Sequence, residues 1–138
     1  MTTEKRYTPI ISKLRDANLR PTRQRIALAE LMFRGEDRHI SAEMLHKEAT
    51  TARVSVSLAT VYNTLHQFTQ AGLLREIAVE AGRSYFDTNT SNHHHFYFEN
   101  DGHLEDVHAD EVVVSSLPTP PGGAKISRVD VVIRVRQD

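Results

Sequence analysis

Three consecutive histidines, His93-His94-His95, are the residues of this 138-residue chain best equipped for chemistry. Imidazole titrates near neutral pH and is the commonest protein ligand for zinc-, iron- and manganese-type ions. Side chains two apart on a strand share a face, so His93 and His95 can hold one centre while His94 points the other way. The run lies inside the chain, directly before the apolar-aromatic Phe96-Tyr97-Phe98, which sets it apart from a terminal tag or a solvated loop. The chain has no cysteine. That excludes disulfides, all-thiolate zinc sites, thiolate haem ligation and cysteine nucleophiles. Any metal must be held by nitrogen and oxygen.

Catalysis finds little support. There is no Gly-rich phosphate loop, no Gly-x-Ser-x-Gly elbow and no His-Glu-x-x-His. A mononuclear His/Asp centre suits a hydrolase or oxygenase of the 2-His-1-carboxylate kind, but the small strand-rich region around it offers no substrate pocket. A binding protein, not an enzyme, is the expectation. Hydrophobic residues make up 39% and charged residues 25% of the chain, values of a water-soluble globular protein. With no apolar run of membrane-span length and a polar Met1-Thr2-Thr3-Glu4-Lys5-Arg6 start, a cytoplasmic location without membrane contact is expected. Net charge is −1 but unevenly spread: residues 1–34 hold 8 basic and 3 acidic side chains, residues 93–138 hold 4 and 8. A basic front suits phosphate contact, and an acidic, His-rich rear suits cations.

The elements that must position these residues are readable in order. Residues 5–18 predict an amphipathic helix with Ile10, Ile11 and Leu14 on one side, broken at Asn18-Leu19-Arg20-Pro21. Thr22 caps a second helix over 23–33 carrying Ile26, Leu28, Leu31 and Met32, and Gly35 stops it. Ser41 caps a third over 42–49 with Met44 and Leu45 inward, and His39 falls in the linker before it. Ser57 caps a fourth over 58–71, closed by Gly72. There Leu58, Val61, Leu65 and Phe68 form one buried stripe, leaving Ala59, Thr60, Tyr62, Asn63 and His66 on the other face. Strands over 73–79 and 84–87 flank a turn at Glu80-Ala81-Gly82-Arg83. Helices followed by a hairpin in this order predict a winged helix-turn-helix, in which Thr60 and Tyr62 near the start of the recognition helix meet thymine methyls and Asn63 is placed to pair with adenine.

Beyond a polar hinge at 88–92 the pattern changes. Strands over 93–99 and 103–107 are joined by Asn100-Asp101-Gly102. A short helix is expected over 110–117, then a Pro/Gly loop at 118–123. A strand over 126–135 turns Val129, Val131, Ile133 and Val135 inward. The expected class is α+β, with a winged helix-turn-helix over 1–87 and a small α/β dimerisation domain over 93–138. About 45 residues are too few to stand alone. A homodimer follows, whose twofold symmetry matches palindromic double-stranded DNA.

The segment Ser57-Leu58-Ala59-Thr60-Val61-Tyr62-Asn63-Thr64-Leu65, then Gly72-Leu73, Gly82 and the histidine cluster, closely resembles the ferric uptake regulator family over nearly the whole chain. Within it, the histidine run, the missing Cys-x-x-Cys pairs and the shortened Pro-rich region look most like the iron response regulators. The resemblance implies a dimeric repressor or activator of iron-uptake and haem-synthesis genes. It implies binding to AT-rich inverted repeats and release of DNA when haem binds; a direct Fe, Mn or Zn sensor without haem is the alternative. Position by position it implies an inter-domain metal site of His39, Asp87, His93, His95 and Asp106, with Asp in place of the usual Glu twice. Haem is assigned to His93, His94 and His95. The DNA-facing set is Arg20, Ser57, Thr60, Tyr62 and Asn63, with Arg20 as the minor-groove cation and Arg15, Arg23 and Arg83 as phosphate contacts or solvated charges. The family's second metal site falls on Asn92, His94, Val113 and Val129 and is depleted of donors. The Cys-Pro haem motif is absent, so haem would rely on imidazole. His46 and His66 are surface residues of the head, with a weaker second haem as their alternative role, and His103 and His108 are expected to be solvated.

Overall fold

The computed structural model describes residues 3–80 and 82–138, with side chains from Pro9 onward. The chain divides into two compact units, residues 1–90 and 91–138. No helix among the described residues is long and apolar enough to cross a membrane.

The first unit holds α1 (Thr3–Asp16), α2 (Arg23–Phe33), β1 (His39–Ile40), α3 (Ala42–Thr51), α4 (Leu58–Gln70), β2 (Arg75–Glu80) and β3 (Arg83–Asp87). Each of the three later helices starts where its cap predicts. Thr22 Oγ1 accepts from Arg25 N at 3.3 Å, Ser41 Oγ from Met44 N at 3.2 Å, and Ser57 Oγ from Thr60 N at 3.0 Å. The first helix stops at Asp16, two residues short of the predicted end, because Asn18 turns into the left-handed region at φ 61°. Gly72 closes α4 at φ 84°. In the predicted turn after β2, Gly82 takes φ 71°, while Ala81 lies outside the described residues.

The helices enclose a core whose centre includes Leu28, Met32, Leu45, Val61, Leu65 and Phe68, all fully buried. Two predicted core residues are corrected. Leu58 is 37% exposed because it is the first residue of α4 and projects past the packed turns, and the face is completed instead by Thr64. Met44 is 41% exposed because α3 packs along Ala42, Leu45 and Ala49, which puts Met44 off the buried line.

The wing is a three-stranded antiparallel sheet in the order β1-β3-β2. His39, expected in a linker, belongs to β1, which pairs His39 with Asp87 and Ile40 with Phe86. The connector also begins later than its polar composition indicates: Thr88 Oγ1 accepts from Arg38 N at 2.8 Å, and Thr88 N donates to Arg38 O at 3.1 Å.

The second unit is a sheet in the order β5-β4-β6, built from β4 (His93–Phe98), β5 (Leu104–His108) and β6 (Val132–Val135). β4 runs antiparallel to β5 and parallel to β6. The helix predicted over 110–117 shrinks to a single 3-10 turn, Ala109–Glu111. Three successive β-branched residues, Val112, Val113 and Val114, lose rotamer freedom in a helix, and Pro118 pushes Leu117 toward extended backbone. The last strand is likewise shorter than the predicted 126–135. Its ladder with β4 begins at His95↔Val132, just after Val131 N donates to the His94 ring instead of to a strand carbonyl. Val113, Val114, Leu117, Ile126 and Ile133 remain exposed in the single chain.

Candidate metal centre and nucleic-acid interface

The histidine and aspartate donors expected at a metal site meet within each unit. In the first unit, register does the work: His39 and Asp87 face each other across β1 and β3, and His39 Nε2 lies 3.1 Å from Asp87 Oδ2. Asp87 is 1% exposed, and its other oxygen accepts from Asn89 N at 2.9 Å. The carboxylate is thus oriented toward His39 by a backbone donor.

In the second unit, β4 alternation puts His93 and His95 on one face with ring centroids 4.5 Å apart. Asp106, opposite His95 on β5, completes the group. Its Oδ1 lies 3.3 Å from His93 Nε2 and 3.4 Å from His95 Nε2. Ligands about 2.1 Å from one ion stand about 3.0–3.5 Å from each other, so both clusters have the edge lengths of a coordination shell. His93 Nδ1 lies 2.7 Å from the Ser91 carbonyl, to which only an N–H can bond. That fixes the tautomer and leaves the Nε2 lone pair for an ion, the usual outer-shell arrangement of a ligating histidine. The donor set is imidazole and carboxylate with no thiolate, which fits Zn, Fe or Mn.

His94 lies on the opposite face, as its parity predicts. Its Nδ1 accepts the Val131 N–H at 3.2 Å, so its proton resides on Nε2. This histidine ties β6 to β4, and in that tautomer it has no lone pair for a metal or a haem iron. His46 Nε2 is 3.2 Å from the Val56 carbonyl in the loop before α4. His66 stacks edge-on against Phe86 at 5.7 Å and approaches Glu76 at 3.9 Å. Each has its own local partner, and nothing in these contacts joins them in a second haem site. His103 is exposed but engaged by Asp101 and Glu105; His108 is exposed.

The proposed DNA face is assembled on α4 and the loop before α2. Arg20, Thr60, Asn63 and Gln67 line a groove of about 410 Å³. Asn63 and Arg20 are exposed. Ser57 and Thr60 are joined to each other, the Ser57 hydroxyl donating to Thr60 Oγ1 at 3.0 Å while it caps the helix. Tyr62 donates its hydroxyl to Glu43 Oε1 at 2.6 Å. Arg15, Arg23 and Arg83 are exposed, the last 6.0 Å above the Tyr85 ring.

Two residues here escaped the sequence reading. Arg25 sends one guanidinium nitrogen to the Arg20 carbonyl and another to Gln67 Oε1, both at 3.0 Å, fixing the Arg20 loop against α4. Glu43 holds Tyr62. Both are charged residues on helices, where a solvated side chain and a positioning role leave the same pattern. The Arg20-to-Arg25 spacing across a cap was the only local signal.

A winged helix-turn-helix followed by a small sheet unit with clustered His/Asp donors defines the class. The model of the Ferric uptake regulator family matches residues 16–133, and the chain belongs to that family. The ferric uptake regulation protein of Vibrio cholerae is 40% identical over 81 residues, 59% of this chain and 54% of that protein, so the match spans about half the length of the relative. The solved structure of the ferric uptake regulator from Pseudomonas aeruginosa with manganese is 28% identical, covering 91% of this chain and 96% of that one with a TM-score of 0.70. The crystal structure of the Vibrio cholerae ferric uptake regulator shares the fold at a TM-score of 0.72 and 24% identity, covering 93% and 99%.

Proposed function

We propose that this chain is a cytoplasmic, dimeric transcription regulator of the direct ion-sensing type. Its first unit reads AT-rich double-stranded DNA, and a divalent ion, Mn, Fe or Zn, sets its DNA affinity. The observation that carries the reading is the meeting of His93 Nε2 and His95 Nε2 at one oxygen of Asp106. A set of two imidazoles and a carboxylate is chemically suited to a borderline cation.

His39 and Asp87 supply two further donors of the same chemistry, and only residues 88–92 of the chain separate Asp87 from His93. An ion held by either set would be bound by imidazole nitrogen and carboxylate oxygen. His93, His95 and Asp106 would hold such an ion, which would supply the positive charge that imidazole and carboxylate share. An ion affinity that differed between the DNA-competent and DNA-free states of a dimer would couple ion binding to DNA binding. Dimerisation draws support from the apolar residues of the second unit that one chain leaves exposed, Ile133 at 37% and Val113 at 84% among them.

Direct sensing is favoured over haem as the trigger. His94, one of the three histidines assigned to haem, uses its Nδ1 lone pair on Val131 N. His93 and His95 point both Nε2 atoms at a carboxylate rather than at an open face. These contacts support the direct-sensor reading over the iron-response-regulator subtype.

The test is fluorescence anisotropy of the full chain on an AT-rich inverted-repeat duplex, with Mn, Fe(II), Zn and haem added in turn. A divalent ion should change affinity, and His93→Ala with His95→Ala should abolish that response. Haem acting while all three ions do nothing would reinstate the haem reading. No binding to any duplex would remove the regulator reading itself.

A further inference from the structure

Tyr62 and Glu43 lie on different helices, yet the Tyr62 hydroxyl donates to Glu43 Oε1 at 2.6 Å. Neither end of this bond is on a floppy segment. Glu43 occupies the first turn of α3, where the helix dipole favours a carboxylate and Ser41 caps the start. Tyr62 follows Val61 on α4, and Val61 is fully buried in the same core as Ala42 and Leu45 of α3. The contact therefore joins two packed helices across the head of a groove of about 290 Å³ that Arg83 and Phe86 also line.

A carboxylate bonded to a side chain read as DNA-facing needs an explanation. DNA presents phosphates, and a negative charge beside them weakens binding to every sequence alike. The Tyr62 hydrogen bond, together with Glu43's own backbone bond and the nearby Arg83 charge, keeps the Glu43 carboxyl below its usual range. The charge is therefore retained at neutral pH. What the carboxylate gives in return is a fixed phenol.

We propose that Glu43 is a specificity-determining positioning residue, which locks the Tyr62 ring in its base-reading direction before DNA arrives. The proposal rests on the reading of α4 as the recognition helix. Ordering a side chain in advance removes that entropy cost from binding. Because base-facing groups specify and phosphate contacts do not, the gain appears in the ratio of specific to non-specific affinity.

The experiment measures that ratio, for an AT-rich inverted repeat against a scrambled duplex, in Glu43→Gln, Glu43→Ala, Tyr62→Phe, Glu43→Ala/Tyr62→Phe and Tyr62→Ala full-length chains. Gln keeps an acceptor and removes the charge, so Glu43→Gln should bind both duplexes more tightly with the ratio retained. Glu43→Ala and Tyr62→Phe should each lower the ratio about three- to tenfold, and the double variant should lose no more than either alone. A ratio unchanged in Glu43→Ala and Tyr62→Phe but lost in Tyr62→Ala would overturn the role of Glu43 and leave the recognition helix standing. A ratio unchanged in Tyr62→Ala as well would remove both.

Discussion

His39 and Asp87 are cross-strand partners, and their 3.1 Å Nε2–Oδ2 contact is a product of β1–β3 register. On the other side of β3, Arg75 is the register partner of the same aspartate. Directly opposed residues in an antiparallel pair point to one face, so Asp87 stands between a histidine and an arginine. A one-residue slip of β1 would carry His39 to the opposite face. Ile40, fully buried opposite Phe86, holds the register.

If His39 and Asp87 contribute to the ion proposed above, His39→Ala and Asp87→Asn should each weaken Mn binding by at least the about ten- to hundredfold that loss of an outer-shell partner costs. Calorimetry on the full chain should also return one ion per chain. Two ions of independent affinity, one insensitive to His39→Ala, would mean that the two donor sets act separately.

Much of this arrangement is legible in the sequence, and the gaps have physical causes. The caps at Thr22, Ser41 and Ser57 place three helices within a residue of where they begin, since a side-chain oxygen before an apolar period is a local signal. The parity of His93, His94 and His95 is local too. β1 is not: two residues make no period, and His39–Ile40 becomes a strand only through long-range pairing with β3. The second unit misleads in the opposite direction. Residues 126–131 have the alternation of a strand, but the ladder starts only at Val132, where β4 offers partners. Glu43 and Arg25 act through contacts between elements, which a one-dimensional period cannot show.

Ser57 separates two roles that the sequence reading merges. Its hydroxyl caps α4 through Thr60 N, so Ser57→Ala should lower stability by about 0.5–2 kcal/mol in chemical denaturation. Ser57→Asp retains a capping oxygen and adds a negative charge at the start of the proposed recognition helix. It should keep the stability of the parent while losing affinity for all duplexes together, with the loss shrinking at high salt. If Ser57→Asp binds DNA as the parent does, Ser57 does not lie near phosphate.

Phe68 tests the core beneath the DNA face. It is fully buried near the end of α4 and packs against Phe33 with ring centroids 6.1 Å apart. Phe68→Ala should cost about 3–5 kcal/mol, read as a shift of the denaturation midpoint of the first unit. Leu58→Ala, at a residue 37% exposed, should cost far less. Equal losses would contradict the observed end of the buried stripe.

The β4–β5 turn carries a titration that the sequence does not announce. Asp101 accepts from both the ring Nδ1–H and the backbone N–H of His103, Glu105 Oε2 lies 3.3 Å from His103 Nε2, and Phe98 stacks on the imidazole at 4.3 Å. The Asp101 hydrogen bond, with a smaller contribution from Glu105, raises His103 above its ordinary 6.5, against a lesser opposing effect of burial. The same bond holds Asp101 below its ordinary 3.8. A raised histidine stabilises the fold fully below pH 6.5, and that help is lost as pH rises through the folded value. A depressed carboxyl helps above pH 3.8 and is lost as pH falls through its folded value. The turn is therefore held best between 3.8 and 6.5, and loosens as pH rises from there through the raised His103 value. Proton NMR of the His103 ring should show a midpoint above 6.5 that drops toward it in Asp101→Asn. A midpoint at or below 6.5 in the parent chain, or one unmoved by Asp101→Asn, would show that the Asp101–His103 bond does not persist in solution.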